Sequence, residues 1–275
     1  MDQVPSLRLN TRGEIPVIGF GTWQLSPEDA YSSVIEALEV GYRLIDTAKI
    51  YGNEEAVGEA VRNSKIPRQE IFLTTKLWNS DHGYDSALKA FDASLKRLGQ
   101  DYVDLYLIHW PGDDRQRRAD SWTALRDLYK EGRSKAIGVS NYTVRHLQEL
   151  LDSTDTPPAV NQIEFHPFIY HEQKELLDFC EAEGIIFEAY SPLARGRRSD
   201  PLLEERGAKY GKSTSQVMLR WALQHGTVPL PRSADEGHIR ENFEVFDFEL
   251  SSVDMEAIDK INQTDRTAWN PTNLP

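Results

Sequence analysis

From residue 18 almost to its end, the chain alternates short apolar runs with longer segments that carry one apolar stripe. The runs fall at 18–23, 42–45, 71–75, 103–108, 136–140, 159–163, 185–190 and 227–230. Between them, Ala30, Val34, Ile35 and Leu38 share one helical face; so do Phe91, Leu95 and Leu98, then Trp122, Leu125 and Leu128, then Leu147, Leu150 and Leu151. Short apolar strands separated by amphipathic helices belong in a parallel sheet covered on both faces. Their number and the chain length predict an α/β fold, a closed (β/α)8 TIM barrel of the usual size of about 250 residues. An open doubly wound sheet is the alternative, and it would more often carry a glycine fingerprint early on. Gly19 and Gly21 complete neither a phosphate loop nor that fingerprint, and read as points of close backbone approach. Ahead of the barrel, 6–10 and 15–18 flank the turn Thr11-Arg12-Gly13-Glu14, which predicts a β-hairpin. No Pro/Gly/Ser-rich seam, internal repeat or low-complexity stretch divides the chain, so 1–275 is read as one domain.

The ends of these strands carry the chemistry. Asp46 and Tyr51 lie in the stretch leaving 42–45, Lys76 closes 71–75, and His109 closes 103–108. In a barrel the active site forms where strands meet their following loops, so these four side chains converge on one rim. A phenol with a pKa of about 10 is a poor acid at neutral pH. A neighbouring ammonium favours phenolate, and a carboxylate holds that ammonium in place. Lowering the phenol by about two to three pH units is worth ~3–4 kcal/mol. The reading is Tyr51 as proton donor, Lys76 as its tuner, Asp46 as the lysine's anchor and neutral His109 as the group that orients a carbonyl. Taken singly, each has a structural reading: a loop aromatic, a solvated strand end, a capping acid, a hydrogen-bonded histidine. Their repetition at three strand ends favours a proton-transfer site.

Charge and cysteine content narrow the partners. A net charge of −13 and a pI near 5.0 argue against a nucleic-acid binder, which needs a basic face. The single Cys180 has no internal disulfide partner and sits at helical spacing, as a packed thiol does. No leader pattern and no apolar run of about 18 residues are present, so a cytoplasmic protein with no membrane partner is expected. No clustered His/Cys spacing suggests zinc, so no metal site is expected.

Three segments, 41–48, 98–111 and 231–233 with 239–242, resemble in order the signature segments of the aldo-keto reductases. The resemblance spans nearly the whole chain and looks closest to the short-looped microbial branch that includes the 2,5-diketogluconate reductases. It implies a barrel with short active-site loops, its lower end covered by the hairpin. It also implies NAD(P)H-dependent reduction of small aldehydes and ketones, with hydride passing from nicotinamide C4 and the proton from Tyr51. Ser140, Asn141 and Gln162 match positions that hold the nicotinamide amide, a role suited to polar side chains. Capping of the helix beginning near Thr143 is the plainer role for Ser140 and Asn141. Tyr190 matches the ring stacked on the nicotinamide. Gly21, Thr22 and Trp23 border cofactor and substrate, and Asp46, Ser191 and Leu193 join the cofactor set. Relatives usually carry Lys-Ser and a later Arg on the 2′-phosphate; here Arg232, Ser233 and His238 stand there, with Glu241 and Asn242 at adenine positions. NADPH is therefore expected as the preferred cofactor, with NADH tolerated.

The remaining expectations concern the rim. Phe20, Trp23, Trp78, Trp110 and the carboxyl tail, with Trp269 over the edge, set the substrate walls around an open pocket. Leu44 stands where relatives often have His, a packing change. Lys49 adds a second cation, expected to face solvent, to compete for Asp46 or to meet an anionic substrate. Arg115, Arg117 and Arg118 follow His109, and Arg195, Arg197 and Arg198 follow Tyr190; such clusters are either solvated loops or a positive field at the rim. The expected partner is a small carbonyl compound and the chain is expected to act as a monomer. A cofactor-binding sensor on the same barrel is the rival reading, since fold does not fix function.

Overall fold

The computed structural model describes residues 4–11, 13–196, 199–261 and 266–275. Eight strands among them run parallel in one sheet and in chain order: β3 (Gly19–Gly21), β4 (Leu44–Asp46), β5 (Phe72–Leu77), β6 (Val103–Ile108), β7 (Ser134–Ser140), β8 (Val160–Glu164), β9 (Ile186–Tyr190) and β10 (Val228–Leu230). The Gly21 amide donates to the Pro231 carbonyl at 3.0 Å, joining the first strand to the last and closing the barrel. Gly19 faces inward: a Cβ there would lie 2.5 Å from Leu44 Cγ, so the absence of a side chain is what lets β3 approach its neighbours.

The hairpin of β1 (Ser6–Arg8) and β2 (Glu14–Pro16) is antiparallel, with Leu7 opposite Ile15. Leu7, Leu9 and Ile15 pack onto Leu44, Leu105, Leu107, Val160 and Val228. That apolar plug fills the barrel below the carboxyl ends of the strands. Arg12, within the turn, lies outside the described residues.

Around the barrel run α1 (Pro27–Val40), α2 (Glu54–Asn63), α3 (Tyr84–Leu98), α4 (Arg115–Lys130), α5 (Val144–Ser153), α6 (Tyr170–Ala182), α7 (Pro201–Tyr210), α8 (Thr214–Gln224), α9 (Glu236–Phe243) and α10 (Ser252–Asp259). The sequence placed the stripes of α1, α3, α4 and α5, and those side chains are buried apart from the partly buried Ile35 and Leu151. Ser26 caps α1, accepting from the Asp29 amide at 3.1 Å. Two helices follow β9 rather than one, and α10 is an addition to the eight-fold repeat. Cys180 is buried on α6, where burial pushes its thiol up to about 12. No helix of the described residues is long and apolar enough to cross a membrane.

Candidate active site

Strand ends set the geometry. Asp46 is the last residue of β4 rather than a loop residue, and Tyr51 closes a 3-10 turn, Lys49–Tyr51, that folds back over it. Lys76 projects inward from β5, and His109 follows β6, its amide donating to the Leu77 carbonyl at 3.0 Å. The fully buried Lys76 ammonium lies 2.7 Å from each Asp46 oxygen, 3.0 Å from the Thr47 carbonyl and 3.3 Å from the Tyr51 hydroxyl. The His109 ring meets Tyr51 edge-on at 5.7 Å and Trp78 at 5.2 Å. All four residues expected from the strand ends thus come together.

Their electrostatics differ from expectation in one respect. Lys76 was expected to pull the Tyr51 hydroxyl below its ordinary range. Burial, then the charges of Asp46 and Glu188, instead hold it well above that range. Burial is the larger cause, and the Asp46 carboxylate that grips the ammonium with both oxygens adds to it. The phenol is therefore kept protonated, with the ammonium already in place beside its oxygen. His109 is held well below the usual imidazole range by burial and by Lys76, so its ring is neutral.

A cavity of about 460 Å³ opens over this cluster. Trp23, Trp78 and Trp110 line it, as do Tyr51 and His109. Trp269 also lines it, set edge-on to Trp110 at 5.4 Å. The tail that carries Trp269 is tied down by Glu164 on β8, whose carboxylate accepts from the Thr267 and Ala268 amides. Phe20 does not belong to the walls. It is buried behind β3 against Tyr42, ring centroids 5.8 Å apart, because Gly19 and Gly21 take the inward register and leave Phe20 facing the helices.

Of the positions implied for the cofactor, Gly21, Trp23, Asp46, Ser140, Asn141, Gln162, Tyr190, Ser191, Leu193 and Arg232 line the cavity. Capping does not explain Ser140 and Asn141, since Thr143 caps α5 with His146 completing a capping box. Ser140 donates to the Gln162 carbonyl at 2.8 Å. Asn141 donates to the His109 carbonyl at 2.9 Å and accepts from the Tyr190 hydroxyl at 2.8 Å. Gln162 donates its amide nitrogen to Asp46 at 2.9 Å and to Glu188 at 2.8 Å, and its side-chain oxygen has no hydrogen-bond partner among the described residues. Thr22 lies outside the cavity: it is fully buried, its hydroxyl donating to the Asp46 carbonyl at 2.9 Å, and so braces β3 against β4.

Ser233, His238, Glu241 and Asn242 sit beyond the cavity, around the start and body of α9. Asp235 caps that helix, accepting from the His238 amide at 2.8 Å and lying 3.7 Å from the His238 ring. Ser233 accepts from the Asp235 amide at 3.0 Å.

The arginine clusters separate. Arg115 and Arg118 pair with Glu149 of α5, and Arg117 donates to the His82 carbonyl, so that group is structural. Arg195 lies over the Trp23 ring at 4.5 Å and lines the cavity with Arg232. Burial and the charge of Arg195 lower the Arg232 pKa, as two close cations require. Neither meets a carboxylate among the described residues. Ser191, Ala194 and Arg195 all hold left-handed backbone (φ 50, 47 and 53), a concentration of strain at the cavity edge. Arg197 and Arg198 lie outside the described residues. Lys49 is neither free nor competing for Asp46: it pairs with Asp81, tying the turn that bears Tyr51 to the one that follows Trp78.

Sequence reasoning missed Glu188, Glu164 and Asn53. Asn53 is buried and orders the loop after β4, accepting from the Thr47 hydroxyl at 2.8 Å and donating to the Thr22 carbonyl at 2.8 Å. For Glu188 the signal was present: a lone acid inside an otherwise apolar strand.

Fold and site together define a (β/α)8-barrel oxidoreductase. The chain belongs to the aldo/keto reductase family, whose sequence pattern it matches over residues 17–263. It is 48% identical over 271 residues to a glyoxal reductase of Bacillus subtilis, covering 98% of this chain and 97% of that one. The crystal structure of an aldo/keto reductase from Brucella melitensis superposes with a TM-score of 0.92 at 49% identity, over 95% of this chain and 99% of that one. A Bombyx mori aldo-keto reductase solved in complex with NADP superposes with a TM-score of 0.90 at 35% identity, over 97% and 95% of the two chains.

Proposed function

We propose that this protein uses NADPH, and less readily NADH, to reduce small aldehydes and ketones, among them α-dicarbonyls such as glyoxal and methylglyoxal and keto-sugars such as 2,5-diketogluconate. The observation that carries this is the meeting of the Tyr51 hydroxyl, the Lys76 ammonium and the neutral His109 ring at one aromatic-walled cavity. The similarity to a glyoxal reductase supports the substrate class.

The cavity suits a nicotinamide dinucleotide. Gln162 offers an unpaired oxygen to an amide N–H, Ser140 and Asn141 lie beside it, and the Tyr190 ring is braced by Asn141 for stacking. Arg195 and Arg232, without carboxylate partners among the described residues, are suited to phosphate oxygens. When bound, the reduced nicotinamide supplies a hydride from C4 to the carbonyl carbon. His109 holds the carbonyl oxygen, and Tyr51 gives its proton as charge develops there. The phenolate so formed is stabilised by the ammonium 3.3 Å away, which Asp46 keeps from moving.

A panel of aldehydes, ketoses and α-dicarbonyls, assayed with each cofactor, tests the reading. Turnover of glyoxal or methylglyoxal with NADPH is expected; cofactor binding with no turnover of any carbonyl would indicate a sensor instead. His238 is more than half exposed, and its ring would exchange the Asp235 carboxylate 3.7 Å away for a 2′-phosphate. His238→Ala should then weaken NADPH binding while leaving NADH affinity unchanged, as dissociation constants for both cofactors would show. An unaltered NADPH affinity in that variant would reject His238 as a phosphate ligand.

A further inference from the structure

Glu188 is a fully buried carboxyl that the reaction above does not use. It projects inward from β9, directly across from Gln162 on β8. Gln162 sends one amide hydrogen to Asp46 and the other to Glu188, so two acids on opposite sides of the barrel share one –NH2 group. Asp46 is charged and paired with Lys76. Glu188 has no such partner, and its second oxygen, Oε1, is buried with no hydrogen-bond partner among the described residues.

We propose that Glu188 is a positioning residue: with Asp46 it fixes the Gln162 amide so that the oxygen faces the cofactor's carboxamide, and its own ionisation sets the charge beneath the nicotinamide. The inference rests on the nicotinamide reading of the cavity. A reversed Gln162 amide would set its oxygen against an ionised Asp46, and Glu188 holds the second hydrogen that keeps the amide from swinging.

The groups around Glu188 set when it ionises. Burial first, then the charge of Asp46, push it up to about 8, against the opposing Gln162 hydrogen bond and Lys76. Tyr51 and Tyr190 are neutral phenols held above their ordinary range, and His109 is a neutral imidazole. From β10 the facing residue is Val228. Below the Glu188 transition, the Asp46–Lys76–Glu188 group carries no net charge. Above it the group carries one negative charge. An oxidised nicotinamide ring is positive and a reduced one is neutral, so ionised Glu188 favours the oxidised form alone.

The test is the ratio of the NADPH to NADP+ dissociation constants, read from quenching of tryptophan fluorescence between pH 6.5 and 9. Both forms carry the same phosphates, so titration of those phosphates cancels in the ratio. In the wild type the ratio should shift toward NADP+ on the order of tenfold as pH rises through 8. Glu188→Gln, which still accepts the Gln162 hydrogen but cannot ionise, should make the ratio flat. Glu188→Ala, which loses the hydrogen bond as well, should weaken both forms about tenfold at every pH. Should the alanine variant fail to fold, the glutamine variant decides alone. A flat wild-type ratio, or an unchanged slope in Glu188→Gln, overturns the inference. Failure of the wild type to bind either form would overturn the nicotinamide reading first, and the inference with it.

Discussion

Replacing Lys76 with methionine separates the structural from the chemical work of the buried pair. Methionine keeps much of the lysine stem, so packing against β4 and β6 is largely retained and the change is electrostatic. Among the described residues, Asp46 then has only the Gln162 amide, at 2.9 Å, to offset its charge. Removing one partner of a buried ion pair costs ~3–5 kcal/mol. For a chain of 275 residues, an unfolding entropy of about 2.1 cal/mol/K per residue converts that to a fall in Tm of ~5–9 °C. The double variant Lys76→Met/Asp46→Asn leaves no orphaned charge and should recover most of that loss. Activity should not follow, because neither variant has an ammonium to hold the Tyr51 phenolate. Both should lose roughly a hundredfold to ten-thousandfold in kcat. Thermal melts by circular dichroism and NADPH oxidation, run on the same preparations, read the two effects separately. If the double variant regains activity together with stability, Lys76 is a scaffold residue and the proposed chemistry is wrong.

Other consequences follow from the same interior. Glu188 carries a proton in the folded protein at pH values where the unfolded chain has already lost it, so folding takes up a proton between about pH 4.5 and about 8. Stability should fall as pH rises across that window and level off above it, by at most about 5 kcal/mol. The loss should be absent in Glu188→Gln; parallel Tm-versus-pH curves for the two proteins would refute it. Glu164→Ala should free the tail from β8, since charge-assisted hydrogen bonds are worth ~1.5–3 kcal/mol each. Amide exchange at Thr267 and Ala268 should then accelerate at least about tenfold, and KM for bulky aldehydes should change through displacement of Trp269. Unaltered exchange at those amides would mean that Glu164 does not anchor the tail.

The barrel was legible because its strands are apolar on both faces and its helices carry single stripes, so length and alternation leave few alternatives. Tyr51, Lys76 and His109 were legible for a related reason: each sits where a strand run stops, and strand ends share one rim. What escaped depended on contacts between distant residues. Lys49 finds Asp81, and Glu164 reaches the amide of Thr267, through pairings that no local pattern specifies. For Arg115 and Arg118 the sequence left a solvated loop and a positive field both open, because it could not show that each pairs with Glu149 on the next helix. Phe20 was misplaced because β3 is three residues long, too short for its alternation to show which face is inward. The acidity of Tyr51 was misjudged because sequence shows that a lysine is near, but not how far its hydroxyl is desolvated or that Asp46 and Glu188 lie close to it.

Tyr51→Phe removes a single oxygen, the one that stands 3.3 Å from the Lys76 ammonium. Measured beside the wild type with glyoxal and NADPH, it should bind cofactor with similar affinity while kcat falls at least about a hundredfold. A kcat within about threefold of wild type would show that the proton comes from elsewhere, and the account of this site would fail.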